Sequence, residues 1–257
     1  NDGVDYDSMQ DSPTQNWATW NPINDLSSAA DGGTSNANLE ANDAYNGLST
    51  IAMPPDSGTY YWEGSVQAWG LTCAMGIQQQ PPTPEMFGDN GYGWYYPSAD
   101  LPLQWYEDGD FTGDRLDLPA VGSVFGFEYD SDNHTFDVSL DGTVVRQMTG
   151  VPAETYFARA MSTSPSNNTS TLTVNFGQQP FLHRPADLDD TNNLQTQNLP
   201  AATIANGRDH FQAITGAGQG ADGSVVAGQR AGSWSQDLTT NNPGGFQAPA
   251  ANAFNGS

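Results

Sequence analysis

The chain has no lysine, a single cysteine and no long apolar run, and each shortage removes a class of function. One cysteine, Cys73, rules out an intrachain disulfide; within LTCAMGI it reads as a small buried apolar side chain and not as a catalytic thiol. The six basic residues are all arginines (Arg115, Arg146, Arg159, Arg184, Arg208 and Arg230) and face 30 acidic ones, a formal charge of −24. Such a surface repels phosphate backbones and anionic membranes, so nucleic acid is excluded as a partner. It suits a solvated surface, as in a saline medium, better than deliberate cation binding. No segment is long and apolar enough to enter a bilayer, and no secretory leader is legible after Asn1. No window sustains a helical apolar stripe.

What remains is the composition of short strands and tight turns. Aromatics make up 11% of the 257 residues, with 28 glycines and 17 prolines. The length suits one large β domain with an appendage, or two small domains. Residues 1–50 are rich in Asn, Asp, Ser, Gly and Ala, and predict an extended arm laid over a sheet, anchored by Trp17, Trp20 and Ile23. From Thr59 the segment TYYWEGSVQAW alternates, with Tyr60, Trp62 and Val66 on one side and Tyr61, Glu63 and Ser65 on the other, as in a half-buried strand. LTCAMGI reads as the next strand, and the prolines of QQQPPTPE as a loop. GYGWYY and PLQWYEDGDF supply short strands or loop edges. GSVFGFEYD, TFDVSL and TVVRQM form an antiparallel meander over 122–149, with Asp141-Gly142 as a hairpin turn. TYFARAMS and STLTVNF, with Leu172, Val174 and Phe176 on one face, complete seven to nine strands in about 120 residues, the spacing of a β-sandwich. Beyond Phe181 the composition is that of a linker, then of a glycine-rich extension with one strand-like run, SVVAG, too poor in apolar residues for much of a core.

Five pieces in order resemble the marks of a SPRY domain, a family of concanavalin-like sandwiches: Tyr60-Tyr61-Trp62-Glu63, Ala74-Met75-Gly76-Ile77, Gly126-Phe127-Glu128-Tyr129-Asp130, Thr135-Phe136 through Asp141-Gly142, and Val174-Asn175-Phe176-Gly177 with Pro180-Phe181. The resemblance implies an all-β, two-sheet antiparallel concanavalin-like (SPRY) β-sandwich over 51–182, an N-terminal arm over 1–50, and a small irregular or β extension over 183–257. In that family the closing Asn-Phe-Gly and Pro-Phe end the last strand, the glycine permitting the turn and the phenylalanine plugging the end of the core. Asp7-Ser8-Met9, Asp11-Ser12-Pro13-Thr14 and Asn16 to Pro22 look like the lead-in to SPRY modules of tailed-bacteriophage virion proteins, and Asn198-Leu199-Pro200, Thr203-Ile204 and Gly207 to Phe211 resemble the segment that follows them. The implied function is that of a non-enzymatic virion structural protein, of a tail fibre or another appendage or decoration, made in the bacterial cytoplasm. Its implied partners are other virion proteins, further copies of itself (a trimer by analogy) and a bacterial surface glycan. The final GGFQAPAANAFNGS looks like the opening of a further module.

Two other classes stay open: a calcium-dependent carbohydrate-binding module and a polysaccharide depolymerase. Flat rings complement sugar faces, so Trp94, Tyr95, Tyr96, Trp105 and Tyr106 are the candidate ligand-binding residues, although core packing is the stronger reading because the same positions resemble SPRY strands. Glu107, Asp108, Asp110 and Asp114 cluster oxygen ligands around glycines, which suits Ca2+, although the spacing is not that of the helical-loop calcium motif and a solvated acidic loop is the simpler reading. Asp187, Asp189 and Asp190 form a weaker acidic group. Glycoside hydrolysis needs two carboxyls about 5–9.5 Å apart; Glu128 and Asp130 share a face of FEYDSD, but Asp130 opens a turn, so turn chemistry is favoured over catalysis there. His134, His183 and His210 lack ligand spacing and read as turn or surface residues, which disfavours zinc. The loops of the sandwich are the expected recognition surface.

Overall fold

A computed structural model describes residues 16–22, 33–42, 45–79, 87, 90–98, 101–163, 170–195 and 198. They form two antiparallel sheets and, among the described residues, no α-helix. The first sheet orders β1 (Gly33–Ser35), β2 (Glu40–Asn42), β13 (Thr171–Asn175), β4 (Thr59–Ala68), β9 (Val124–Asp130), β10 (Thr135–Leu140) and β11 (Thr143–Thr149). The second orders β3 (Asn46–Met53), β12 (Tyr156–Thr163), β5 (Thr72–Gln78), β6 (Gly91–Tyr96), β7 (Leu103–Glu107) and β8 (Asp110–Leu116). The two-sheet all-β sandwich expected from the sequence is present. It is richer than expected: β4 to β13 are ten strands where seven to nine were read, and β3 enters the sandwich from Asn46.

Period-two alternation fixes which side chains meet between the layers. Trp62, Phe127 and Phe136 of the first sheet stack on one another, with ring centroids 5.4 to 6.2 Å apart. Phe125 meets Trp94 of the second sheet at 4.9 Å, and Tyr129 meets Tyr156 at 5.3 Å. All are fully or almost fully buried. Asp141 and Gly142 form the predicted two-residue turn, both at positive φ (47° and 81°). Asp108 and Gly109 (φ 54° and 80°) form a second one, so EDGDF is a hairpin joining β7 to β8.

The stretch expected to be a plain arm also contributes strands. β1 and β2 extend the first sheet beyond β13, and Trp17 and Trp20 are buried anchors as predicted, Trp20 bridging to Ser49. Ile23, the QQQPPTPE prolines, the SVVAG run and His210 lie outside the described residues.

Beyond Phe176 the chain lies as a strap on the outer face of the first sheet. Where β13 leaves β4, Tyr61 N–H donates to the Asn192 carbonyl (2.6 Å), and Ala18 N–H to the Leu194 carbonyl (2.8 Å). Asn21 N–H donates to Leu48 (3.0 Å) and Thr50 N–H to Thr19 (2.8 Å). A backbone seam therefore runs from β4 through the strap and the 17–21 segment to β3. The strap also explains why Tyr61 and Glu63 are buried, at 1% and 4% exposure, although the alternation reads β4 as half-buried.

Replacing Trp62 by alanine removes the centre of the interlayer stack. It is expected to lower stability by about 3–5 kcal/mol, read as a shifted midpoint at constant slope in denaturant unfolding.

Candidate functional site

The closing motif is built for the strap. Asn175 Oδ1 accepts the Gly177 (2.9 Å) and Gln179 (3.3 Å) N–H groups, while its Nδ2 donates to the Gln179 carbonyl (3.0 Å). Phe176 is fully buried edge-on to Trp20 at 5.2 Å. Gly177 has φ 116°, and a Cβ there would stand 2.5 Å from Asn193 Nδ2, so only glycine fits. Phe181 meets Tyr61 edge-on at 5.0 Å.

The strap is then pinned by a buried carboxylate. Glu63 accepts N–H bonds from Leu182 (2.8 Å) and His183 (2.6 Å), and the Tyr61 hydroxyl donates to it at 3.1 Å. Beside it runs the cross-strand row Tyr61, Glu128, Asp137 and Gln147. Gln147 Nε2 donates to Asp137 at 3.0 Å. Burial, then the Asp137, Asp187 and Asp130 carboxylates, push Glu128 up to about 7, and burial also raises Asp137. This is the strongest electrostatic perturbation of a described carboxylate, and the alternation of β9 and β10 did not flag it.

The turn reading of Asp130 holds: its carboxylate accepts the Asp132 and Asn133 N–H groups (3.0 and 2.9 Å) and the Asn133 side-chain amide (2.7 Å). Asp132 in turn accepts the Gly58 N–H at 3.1 Å. Glu128 and Asp130 therefore do different work, one under the strap and one in the turn.

The four acidic residues around β7 and β8 are not gathered on one point. Glu107 and Asp114 both pair with Arg146 of β11, the latter at 2.6 Å, tying the open edges of the two sheets together. Asp108 caps the Asn90 N–H at 2.8 Å from within its turn, and Asp110 stands opposite Glu107 in the hairpin. Among the described residues no group of three or more His, Cys, Asp or Glu is arranged to hold a metal ion. Asp189 caps Thr191, and Asp190 pairs with Arg184 at 2.6 Å. His134 sits at positive φ in the β9–β10 turn, and His183 rests over Gly142. Cys73 is fully buried, its thiol pushed up to about 12.

The five aromatic candidates divide by strand parity. Trp94, Tyr96 and Trp105 point between the layers at 0–2% exposure and belong to the core, which corrects their reading as sugar-stacking residues. Tyr95 and Tyr106 lie on the outer face of the second sheet, 5.8 Å apart, with Phe87 packed against Tyr106 at 6.0 Å. Phe111 of β8 extends this row at 5.9 Å and is 39% exposed; Arg115 lies over it at 5.6 Å. Sequence reasoning missed Phe111 and Arg115 because β8 was not read as a strand, and with them their β7 neighbour Gln104; applying the hairpin rule to Asp108-Gly109 would have placed β8 beside β7.

No protein-family model and no curated protein matches the sequence. Among solved structures, the TRIM65 PSpry domain is similar at a TM-score of 0.45 and 13% identity, covering 62% of this chain and 92% of that one. The SPRY domain of human HERC1 follows at 0.42 and 16%, covering 66% and 99%. A carbohydrate-binding module, CBM66 from Bacillus subtilis, stands at 0.37 and 13%, covering 62% and 94%.

Two outcomes are expected from the carboxylates under the strap. Glu63→Ala leaves two backbone N–H groups without their acceptor and is expected to cost about 2 kcal/mol, read by denaturant unfolding, with early proteolysis between Phe181 and Gln195. Because the folded form holds a proton on Glu128 more tightly than the unfolded chain does, its contribution is full below about 4.5 and fades as pH rises through about 7. Glu128→Gln is therefore expected to flatten the fall in melting temperature between pH 5 and pH 8, a gain at the upper end of about 1 kcal/mol once solvent screening is allowed for.

Proposed function

We propose that the chain is a non-enzymatic structural module of a tailed-bacteriophage virion, a tail-fibre or other appendage or decoration subunit, acting in assembly and in adsorption to the host surface. The observation that carries the non-enzymatic part is how the candidate carboxylates are employed. Glu63 pins the strap, Asp130 and Asp108 cap turns, and Glu107 and Asp114 clamp Arg146. Glu128 lies beside Asp137 in the cross-strand row on the outer face of the first sheet, where Asp137 accepts the Gln147 side-chain amide. Carboxylates used this way position backbone and leave a rigid scaffold for recognition. The virion assignment is supported by the resemblance of the lead-in from Asp7 to Pro22, and of Asn198-Leu199-Pro200, Thr203-Ile204 and Gly207 to Phe211, to the flanks of such modules.

On this reading the protein is made in the host cytoplasm, joins other virion proteins as a homo-oligomer and meets a bacterial surface glycan. The acidic surface keeps it off nucleic acid. A calcium-dependent carbohydrate-binding module is the second reading, favoured by the outward aromatic row of Tyr95, Tyr106 and Phe111.

Antibody labelling of intact particles by electron microscopy is expected to decorate an appendage, and absence from purified particles refutes the assignment. Incubation with host exopolysaccharide is expected to release no reducing ends. Release that disappears in Glu128→Ala would install the depolymerase instead.

A further inference from the structure

The outer face of the second sheet carries a feature at odds with the rest of the surface. In a chain with 30 acidic residues and six arginines, an exposed guanidinium finds a carboxylate by default. Arg146 and Arg184 do so. Arg115 is exposed on β8 and makes no ion pair among the described residues; it lies over the Phe111 ring, 5.6 Å from the centroid. Its cross-strand neighbour is Gln104, which in turn faces Tyr95. Phe111 leads to Tyr106 at 5.9 Å, and Tyr106 to Tyr95 at 5.8 Å.

The strand carrying this row is bulged: the register slips between Gln104 and Tyr106, and Gly113 has φ 91°. A kinked, charged edge resists the addition of another strand. Its use lies in the side chains on its face. Those side chains combine a partly exposed flat ring, a planar fork of N–H donors in cation–π contact with it, and a neighbouring amide able both to donate and to accept.

We propose that Phe111, Arg115 and Gln104, backed by Tyr95 and Tyr106, form a binding site for an acidic saccharide. The sugar's apolar face lies on Phe111, its carboxylate takes the guanidinium of Arg115 in a two-bond fork, and Gln104 reads an adjacent hydroxyl. A lone cation held over a ring selects a carboxylate-bearing sugar over a neutral one, and the surrounding negative charge limits the contact to a single residue of the glycan. The proposal rests on the non-enzymatic adsorption reading and names the ligand class for it.

The test uses the full chain, a short oligogalacturonate as the probe and a neutral oligoglucoside as the comparison, with binding followed by calorimetry. The oligouronate is expected to bind, the neutral sugar to bind at least about tenfold more weakly, and Phe111→Ala and Arg115→Ala each to cost about tenfold or more. Both side chains are exposed, so unchanged unfolding midpoints will show that the variants fold; Arg115→Lys is expected to recover only part of the affinity. Failure of the oligouronate to bind, equal binding of the neutral sugar, or binding indifferent to both alanine substitutions overturns the site. If particle labelling succeeds and these substitutions change nothing, the site falls and the adsorption reading stands; if the chain is absent from particles while the oligouronate binds as described, the reverse holds.

Discussion

Everything else in the molecule is arranged around one constraint, the mutual burial of the two sheets through a layer of stacked rings. Trp62, Phe127 and Phe136 lie within 10° to 19° of parallel, and Trp94 of the opposite sheet closes on Phe125. Large rings buried in this way dominate the apolar area that a sandwich removes from water. Because side chains alternate along a strand, committing these positions to the interior commits their neighbours to the outside. Tyr61, Glu63, Glu128 and Asp137 are thereby placed on one outer face, and Tyr95, Gln104, Tyr106 and Arg115 on the other.

The two outer faces have been put to different uses. On the first sheet the strap covers part of the carboxylate row, and Glu63 trades its hydration for two backbone N–H bonds and a phenol. A buried carboxylate with three donors is well satisfied, whereas Glu128, beside Asp137 and Asp187, is driven toward its protonated form. On the second sheet an aromatic row ends in an exposed phenylalanine and an arginine. The sides of the sandwich differ in the same way: one is sewn by main-chain bonds through residues 17–21 and 192–195, the other joined by the Arg146 ion pairs.

Much of the sandwich was readable because its central strands are strongly patterned. β4, β9, β10 and β13 alternate cleanly, Asp141-Gly142 marks its own turn, and the Asn175-Phe176-Gly177 motif announces the end of the last strand. β8 escaped because it is exposed almost throughout, so no hydrophobic period is imposed on it. β1 and β2 are three residues each and owe their existence to β13 beside them. The aromatic candidates were placed in the right stretch but not on the right face. In GYGWYY rings occupy both parities, and nothing local says that Trp94 and Tyr96 turn inward while Tyr95 turns outward. The pinning role of Glu63 depends on contacts more than a hundred residues away in sequence, beyond any local pattern.

The seam has a consequence for the order in which the molecule assembles itself. Gln178 reaches back to the Ala18 carbonyl across 160 residues, and Leu194 accepts from Ala18 as well. Contacts of such long sequence separation form late, since the chain between must be closed into a loop first. On the ribosome, the edge of β4 at Tyr61 waits open until Asn192 has emerged, so a nascent chain stopped short of that point carries an unpaired strand edge that invites association with its neighbours.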